Sequence, residues 1–141
     1  MENRLPVIDR KTITMRWGDM DAVGHLNNTY YFRYLEQIRI EWLDELGHGI
    51  DPDGVGPVLA STGCVYRKEL VYPATVVITI ELEKLGNSSL KLHHRFFREG
   101  DEETVYAEAD ATLVWVDYRS GQTVRIPEPI RAAISGERLP A

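Results

Sequence analysis

Residues 17–39 read W-G-D-M-D-A-V-G-H-L-N-N-T-Y-Y-F-R-Y-L-E-Q-I-R, and the second half of that run sets the architecture. Tyr31, Leu35, Ile38, Trp42 and Leu46 recur at i, i+4, i+7, i+11 and i+15, an apolar stripe of helical period. The spacing predicts one long helix from Asn28 to Leu46. Asn27 or Asn28 can cap it, and Gly47 and Gly49 end it. The first half, Gly18 to Asn27, is a loop that brings two acids, two glycines, a histidine and an asparagine up to the helix start. N–H groups of a first helical turn have no helical acceptor and carry roughly half a positive charge. An acid held beside them can attack, or activate water against, a carbonyl whose oxygen the helix polarises.

Outside this stretch the period changes from helical to twofold. Ile13, Met15 and Trp17 alternate with polar residues as a short first strand. Asp51 to Pro57 is a Gly/Pro/Asp loop, and Val58 to Arg67 has the small, apolar character of a buried strand. Val76, Ile78, Ile80 and Leu82 form one alternating set, and Leu90, Leu92, His94 and Phe96 a second. Turns at Gly86-Asn87 and Gly100-Asp101 flank the second set. Thr104 to Asp117 is a long strand with Ala107, Ala109, Ala111, Leu113 and Trp115 on one face. Gln122 to Ile126 reads as a short last strand and Pro129 to Ile134 as a terminal helical turn. A single helix cannot cover both faces of a flat antiparallel sheet, so the expected class is α+β, a curved sheet wrapped around the helix. Pairing of edge strands between two copies would extend the sheet and hide an edge.

The 141 residues suit one domain, 1–141. With a formal charge of −6, nucleic acid is not an expected partner, and any anionic ligand must meet a local basic patch. The lone Cys64 excludes an internal disulfide and fits a reducing compartment. No apolar run approaches the ~20 residues that span a bilayer. Met1 to Arg10, charged and broken by Pro6, is no secretory signal. The expectation is a soluble cytoplasmic protein without a membrane partner.

Taken singly, the loop residues have plain structural uses. Asp19 or Asp21 can make a turn, His25 can serve as a loop hydrogen-bonding group, and Asn27-Asn28 is an ordinary capping pair. Together they supply a base, an orienting group and an oxyanion donor, and Gly24 lets backbone approach a ligand closely. In the helix, Arg39 leans into the apolar arc. A buried guanidinium needs a carboxylate, for which Glu36 is the nearest candidate. Cys64 reads as packing. His93 and His94 point to opposite faces of a strand, which makes them poor joint metal ligands. No C-x-x-C, H-E-x-x-H, G-x-x-x-x-G-K or G-x-S-x-G is present, so metal, nucleotide and serine-nucleophile chemistry lack a signature and no cofactor is called for.

D-M-D-A-V-G-H-L-N-N followed by Y-Y-F-R-Y-L-E-Q-I-R resembles the hot-dog-fold acyl-CoA thioesterases, specifically the 4-hydroxybenzoyl-CoA thioesterase-like family. The wording D-x-D-x-x-x-H-x-N-N also occurs in plant fatty acyl-ACP thioesterases, and the likeness extends to E-K-L-G-N-S-S at Glu83 to Ser89. The resemblance implies a hot-dog fold, a homodimer or homotetramer, and hydrolysis of an acyl-CoA or acyl-carrier-protein thioester to the free acid. By position Asp21 matches the catalytic carboxylate, nucleophile or general base, and the Asn28 N–H matches the donor to the thioester carbonyl. His25 matches a histidine present in many members but absent from the hydroxybenzoyl enzyme. Lying between the acid and the helix start, His25 and Asn27 can orient the carboxylate, the water or the thioester. The plant enzymes' extra acid falls at Lys84. Lys84, Arg67 and Lys68 are the counterparts of basic groups that meet the phosphates of CoA. Two other uses of the same fold stay open: an acyl-CoA-binding sensor without turnover, and an enoyl-CoA hydratase or dehydratase.

Overall fold

The computed structural model describes residues 5–47, 49 and 51–136. Of the Met1 to Arg10 segment, the first four residues lie outside that set. Five strands, β1 (Val7–Thr14), β2 (Val55–Tyr66), β3 (Thr75–Leu85), β4 (Ser89–Arg98) and β5 (Ala107–Asp117), form one sheet in the order β1-β3-β4-β5-β2. Every pairing is antiparallel. Helix α1 (Asn28–Glu45) lies on the concave face, and α2 (Glu128–Ser135) closes the far end.

The apolar stripe does what its period requires. Tyr31, Leu35, Ile38 and Trp42 are buried in one cluster with Ile78 and Ile80 of β3, Leu90, Leu92 and Phe96 of β4, and Leu113 and Trp115 of β5. The alanines at 107, 109 and 111 are buried on the same face, and their small size lets the sheet curve close to the helix. Asn27 caps α1: its side-chain oxygen accepts from the Thr29 N–H at 3.0 Å and from the Thr29 hydroxyl at 2.9 Å. Gly47, at φ 78°, takes the left-handed conformation that ends the helix. Arg131 of α2 donates to the Gly86 carbonyl at 2.8 Å, which ties α2 to the β3–β4 turn.

Four local expectations give way. The first strand is Val7–Thr14 rather than Ile13 to Trp17. Residues 17–19 turn through a short 3-10 helix that leaves Trp17 73% exposed, while Met15 is buried and donates its N–H to the Ala74 carbonyl at 2.9 Å. Alternation alone could not separate a strand end from the turn that follows. Gln122 to Ile126 is not a strand. Only Thr123 bridges to Val116, and Ile126 donates instead to the Asn87 carbonyl at 2.9 Å. β2 is an edge rather than a buried strand: Leu59, Val65 and Tyr66 are 46%, 55% and 42% exposed. Its apolar character reflects an unpaired edge, which in isolation looks the same in sequence as a buried strand.

The fourth concerns Arg39. Glu36 pairs with Arg33 at 3.5 Å, one turn back on the outer face, and Arg39 has no carboxylate against it among the described residues. Both pairs are i, i±3 neighbours, and the solvent-facing geometry won. Burial pulls the Arg39 guanidinium below its ordinary basicity, opposed by the charge of Glu36.

Candidate active site

The loop from Met20 to Leu26 is a tight reverse turn. Met20 and Leu26 face each other in an antiparallel bridge, the Asp21 N–H donates to the His25 carbonyl at 2.9 Å, and Gly24, at φ 85°, turns back toward the Asp21 carbonyl. Few side chains tolerate that φ, so Gly24 is required by the turn itself. The Asp21 carboxylate stays exposed. Its Oδ1 accepts from the Val23 N–H at 2.9 Å and the His25 N–H at 3.5 Å, which fixes the side chain and leaves Oδ2 without a partner among the described residues.

The two acids of the motif therefore have opposite environments. Asp19 is 3% exposed, and its Oδ2 accepts from the Tyr34 hydroxyl at 2.5 Å and the Arg16 N–H at 3.2 Å. Its backbone carbonyl accepts from the Asn27 N–H at 3.0 Å. Asp19 thus pins the loop to the body of α1, and Tyr34 responds with a phenol held well above its ordinary pKa, first by burial and then by the Asp19 carboxylate. Sequence reading missed Tyr34. The available signal was a tyrosine inside an apolar helical arc, whose hydroxyl must find a partner.

At the start of α1 the Thr29 N–H is taken by the Asn27 cap and the Tyr30 N–H by the Asn27 carbonyl, while the Asn28 N–H has no acceptor among the described residues. The Leu26 N–H donates to the Leu70 carbonyl at 2.8 Å, so this helix end is fastened to the β2–β3 connection. The Tyr66 hydroxyl of β2, a second group that sequence reading passed over, donates to the Asn28 carbonyl at 3.1 Å. Next to it a cavity of about 190 Å³ is lined by His25, Asn28, Tyr66, Arg67 and Lys68. The fold thus brings the loop histidine, the helix N-terminus and two of the three basic candidates around one opening. Arg67 also pairs with Glu108 at 2.5 Å. Lys84 stands apart. It lies nine residues along β3 from Thr75, about 30 Å at ~3.3 Å per residue, toward the opposite end of the sheet from this opening.

Tyr31 packs its ring edge-on to Tyr66 at 4.8 Å, and burial pushes its phenol up to about 12. Burial likewise pushes the half-buried Cys64 thiol up to about 11, which fits a packing group rather than a nucleophile. His93 and His94 diverge as strand geometry demands. His93 approaches Glu108 at 3.5 Å on the outer face, and His94 is fully buried under α1. No helix among the described residues is long and apolar enough to cross a membrane.

Comparison with known proteins bears on the fold and the family. The chain superimposes on the PA2801 protein of Pseudomonas aeruginosa, provisionally assigned as a thioesterase, with a TM-score of 0.88 at 41% identity, covering 91% of this chain and 98% of that one. A provisionally assigned acyl-CoA thioesterase of Xanthomonas campestris gives a TM-score of 0.77 at 34% identity, over 85% and 99% of the two chains. A provisionally assigned esterase of Aquifex aeolicus is 27% identical over 129 residues, 89% of this chain and 95% of that one. The curved five-stranded sheet around one long helix is the hot-dog arrangement of these neighbours. Residues 15–134 match the model of the thioesterase-like superfamily, which takes in the acid loop, α1 and all of β2 to β5, and the chain belongs to that family.

Proposed function

We propose that the protein hydrolyses an acyl-CoA thioester to a free carboxylic acid and CoA, with Asp21 as the reacting carboxylate and the Asn28 N–H as oxyanion donor. The observation that carries this reading is the pairing of an exposed carboxylate with a helix N–H two residues beyond the same turn, one carboxylate oxygen and the N–H both without a partner among the described residues. A thioester carbonyl is electrophilic and a thiolate leaves well, so one base and one strong donor can suffice without a serine triad.

In the reaction the thioester oxygen accepts from the Asn28 N–H, and the positive end of α1 stabilises the charge that grows there. Asp21 either takes a proton from water as the water oxygen bonds to the carbonyl carbon, or bonds to that carbon itself and is released by water afterwards. In both routes the C–S bond breaks, CoA leaves as thiolate and takes up the proton. A single turnover in heavy-oxygen water separates them, since only the second route labels the Asp21 carboxylate. His25 and Asn27 orient the carboxylate, the water or the thioester, and Asn27 does so through the cap that sets the first turn. Arg67 and Lys68, at the mouth of the same cavity, suit the phosphates of CoA. Lys84 reaches that cavity only from a second copy of the chain.

The test is thiol release from a panel of aliphatic and aromatic acyl-CoAs, run beside hydration of enoyl-CoA. Thiol release that Asp21→Asn abolishes supports the reading. Tight acyl-CoA binding with no release makes the protein a sensor, and hydration without release makes it a hydratase.

A further inference from the structure

The concave face of the sheet is not fully covered by α1. Cross-strand partners share a face, so the pairing of Leu59, Thr62, Cys64 and Tyr66 with Leu113, Ala111, Ala109 and Ala107 puts all four β2 residues on the helix side. There Leu59 and Tyr66 remain 46% and 42% exposed. The opening at Asn28 and a second cavity of about 270 Å³, lined by Phe32, Arg33, Glu36, Arg39, Leu59 and Thr62, thus lie along one trough-like seam between α1 and β2, with Cys64 on the strand between them.

One wall of that second cavity carries an unsatisfied cation. The Arg39 Nη1 is buried without a hydrogen-bond partner among the described residues, and Glu36, the carboxylate one helical turn back, is engaged by Arg33. Among the described residues the only other buried side-chain atom in that condition is the Nε2 of His94. His94 donates from Nδ1 to the Thr79 carbonyl at 2.8 Å, which leaves Nε2 as a bare lone pair, and the ring feels the charge of Arg39. Buried N–H groups of a guanidinium cost free energy until an acceptor reaches them. The Nε2 of His94 does not bond Arg39 either, and the arginine lines the cavity, from which an acceptor can approach it. Two arginines against one glutamate make the cavity net positive in a chain of charge −6.

The length of the trough fixes what can bridge it. Arg39 follows Asn28 by eleven residues, about 16 Å along the axis. Side chains on a helix lean toward its N-terminus, which shortens the gap between the carbonyl site and the guanidinium to roughly 10 Å. Phe32 and Leu59 line the interval with apolar surface. We infer that Arg39 is a specificity-determining residue that binds a carboxylate at the far end of the acyl group, so that the preferred substrates are CoA monothioesters of medium-length dicarboxylic acids. This inference rests on the thioesterase reading and adds the acyl class to it.

Octanoyl-CoA and suberoyl-CoA differ only in the terminal carboxylate and are the probes. Steady-state thiol release by the wild type, Arg39→Met and Arg39→Lys gives the selectivity ratio in kcat/KM. Calorimetric binding of both esters to Asp21→Asn gives the same preference without turnover. A charge-assisted pair should favour suberoyl-CoA by about 10- to 100-fold. Arg39→Met should erase that ratio mainly through KM, and Arg39→Lys should keep part of it. Equal handling of the two esters by the wild type in both measurements overturns the inference, as does an Arg39→Met enzyme that loses both substrates equally. If the wild type releases no thiol, the thioesterase reading falls, and the binding preference still decides the role of Arg39.

Discussion

Exchanging each acid of the D-x-D pair for asparagine should separate chemistry from scaffold. Asp21→Asn is nearly isosteric, and its amide oxygen can still accept from the Val23 N–H, so the exposed turn survives and stability should change by less than about 0.5 kcal/mol. The charge needed to attack or take a proton is gone, and kcat should fall by roughly 10²–10⁴, about 2.7–5.4 kcal/mol of transition-state stabilisation, with KM little changed. Asp19→Asn should do the reverse. Its carboxylate is 3% exposed and holds the Tyr34 hydroxyl at 2.5 Å and the Arg16 N–H at 3.2 Å. Hydrogen bonds to a buried charge contribute about 1.5–3 kcal/mol, so the melting temperature should drop by roughly 5–10 °C while the folded fraction keeps most of its kcat. Tyr34→Phe should reproduce that loss of stability, because it removes the other end of the same bond. Thiol release and urea titration on the same preparations read both effects. An inactive, stable Asp19→Asn beside an active Asp21→Asn would refute the reasoning, because the catalytic acid would then be the buried one.

His25→Ala and Asn27→Ala should each lower kcat/KM about 10- to 100-fold, or ~1.4–2.7 kcal/mol, in the thiol-release assay. Asn27→Ala should in addition cost about 1 kcal/mol of stability in urea, as the loss of a helix cap does. A His25→Ala enzyme as dead as Asp21→Asn would make the histidine the base and Asp21 its orienter. The protein should be at least a dimer by light scattering, since β2 leaves a long apolar edge open, and a stable, fully active monomer at micromolar concentration would contradict this. Burial, aided by Arg39, holds His94 at about 4 against an ordinary 6.5, so only the unfolded chain takes up its proton between those values. Stability from this group is complete above pH ~6.5 and should be lost as pH falls toward 4, by about 3 kcal/mol at most, and His94→Gln should flatten that part of the urea-against-pH profile.

The parts of the molecule with a long period were readable in sequence. The α1 stripe, the alternation in β4 and the alanine face of β5 each repeat a pattern over seven residues or more and mark the side that is buried, whereas β3, alternating in sequence, is buried on both faces from Val76 to Glu81. Short or one-sided patterns were not decisive. Ile13, Met15 and Trp17 alternate as a strand would, yet the chain has already turned at Trp17, because Asp19 draws it inward to Tyr34. β2 was legible as a strand but not as an edge, since edge position depends on strand order, which no local pattern carries. The site loop was legible because its residue types cluster within ten positions. Tyr66 and Arg39 were harder: one lies 38 residues from the Asn28 carbonyl it donates to, and the other depends on which of two neighbours Glu36 chooses.

The site is open on one side within a single chain. α1 supplies its N-terminus and one flank of the trough, and β2 supplies the floor, but nothing in the described residues stands over Leu59, Thr62 and Tyr66. A thioester held in such a trough would meet water along its length, which weakens the helix dipole at the carbonyl and the pull of Arg39 at the far end. The same β2 residues border the sheet edge whose backbone groups lack partners. An antiparallel β2–β2 pairing between two copies would satisfy that edge and lay a second trough alongside the first. It would also bring the far end of one sheet, with its Lys84, toward the Arg67 and Lys68 end of the other. Closing the edge, drying the acyl trough and completing the phosphate site are then three consequences of one contact.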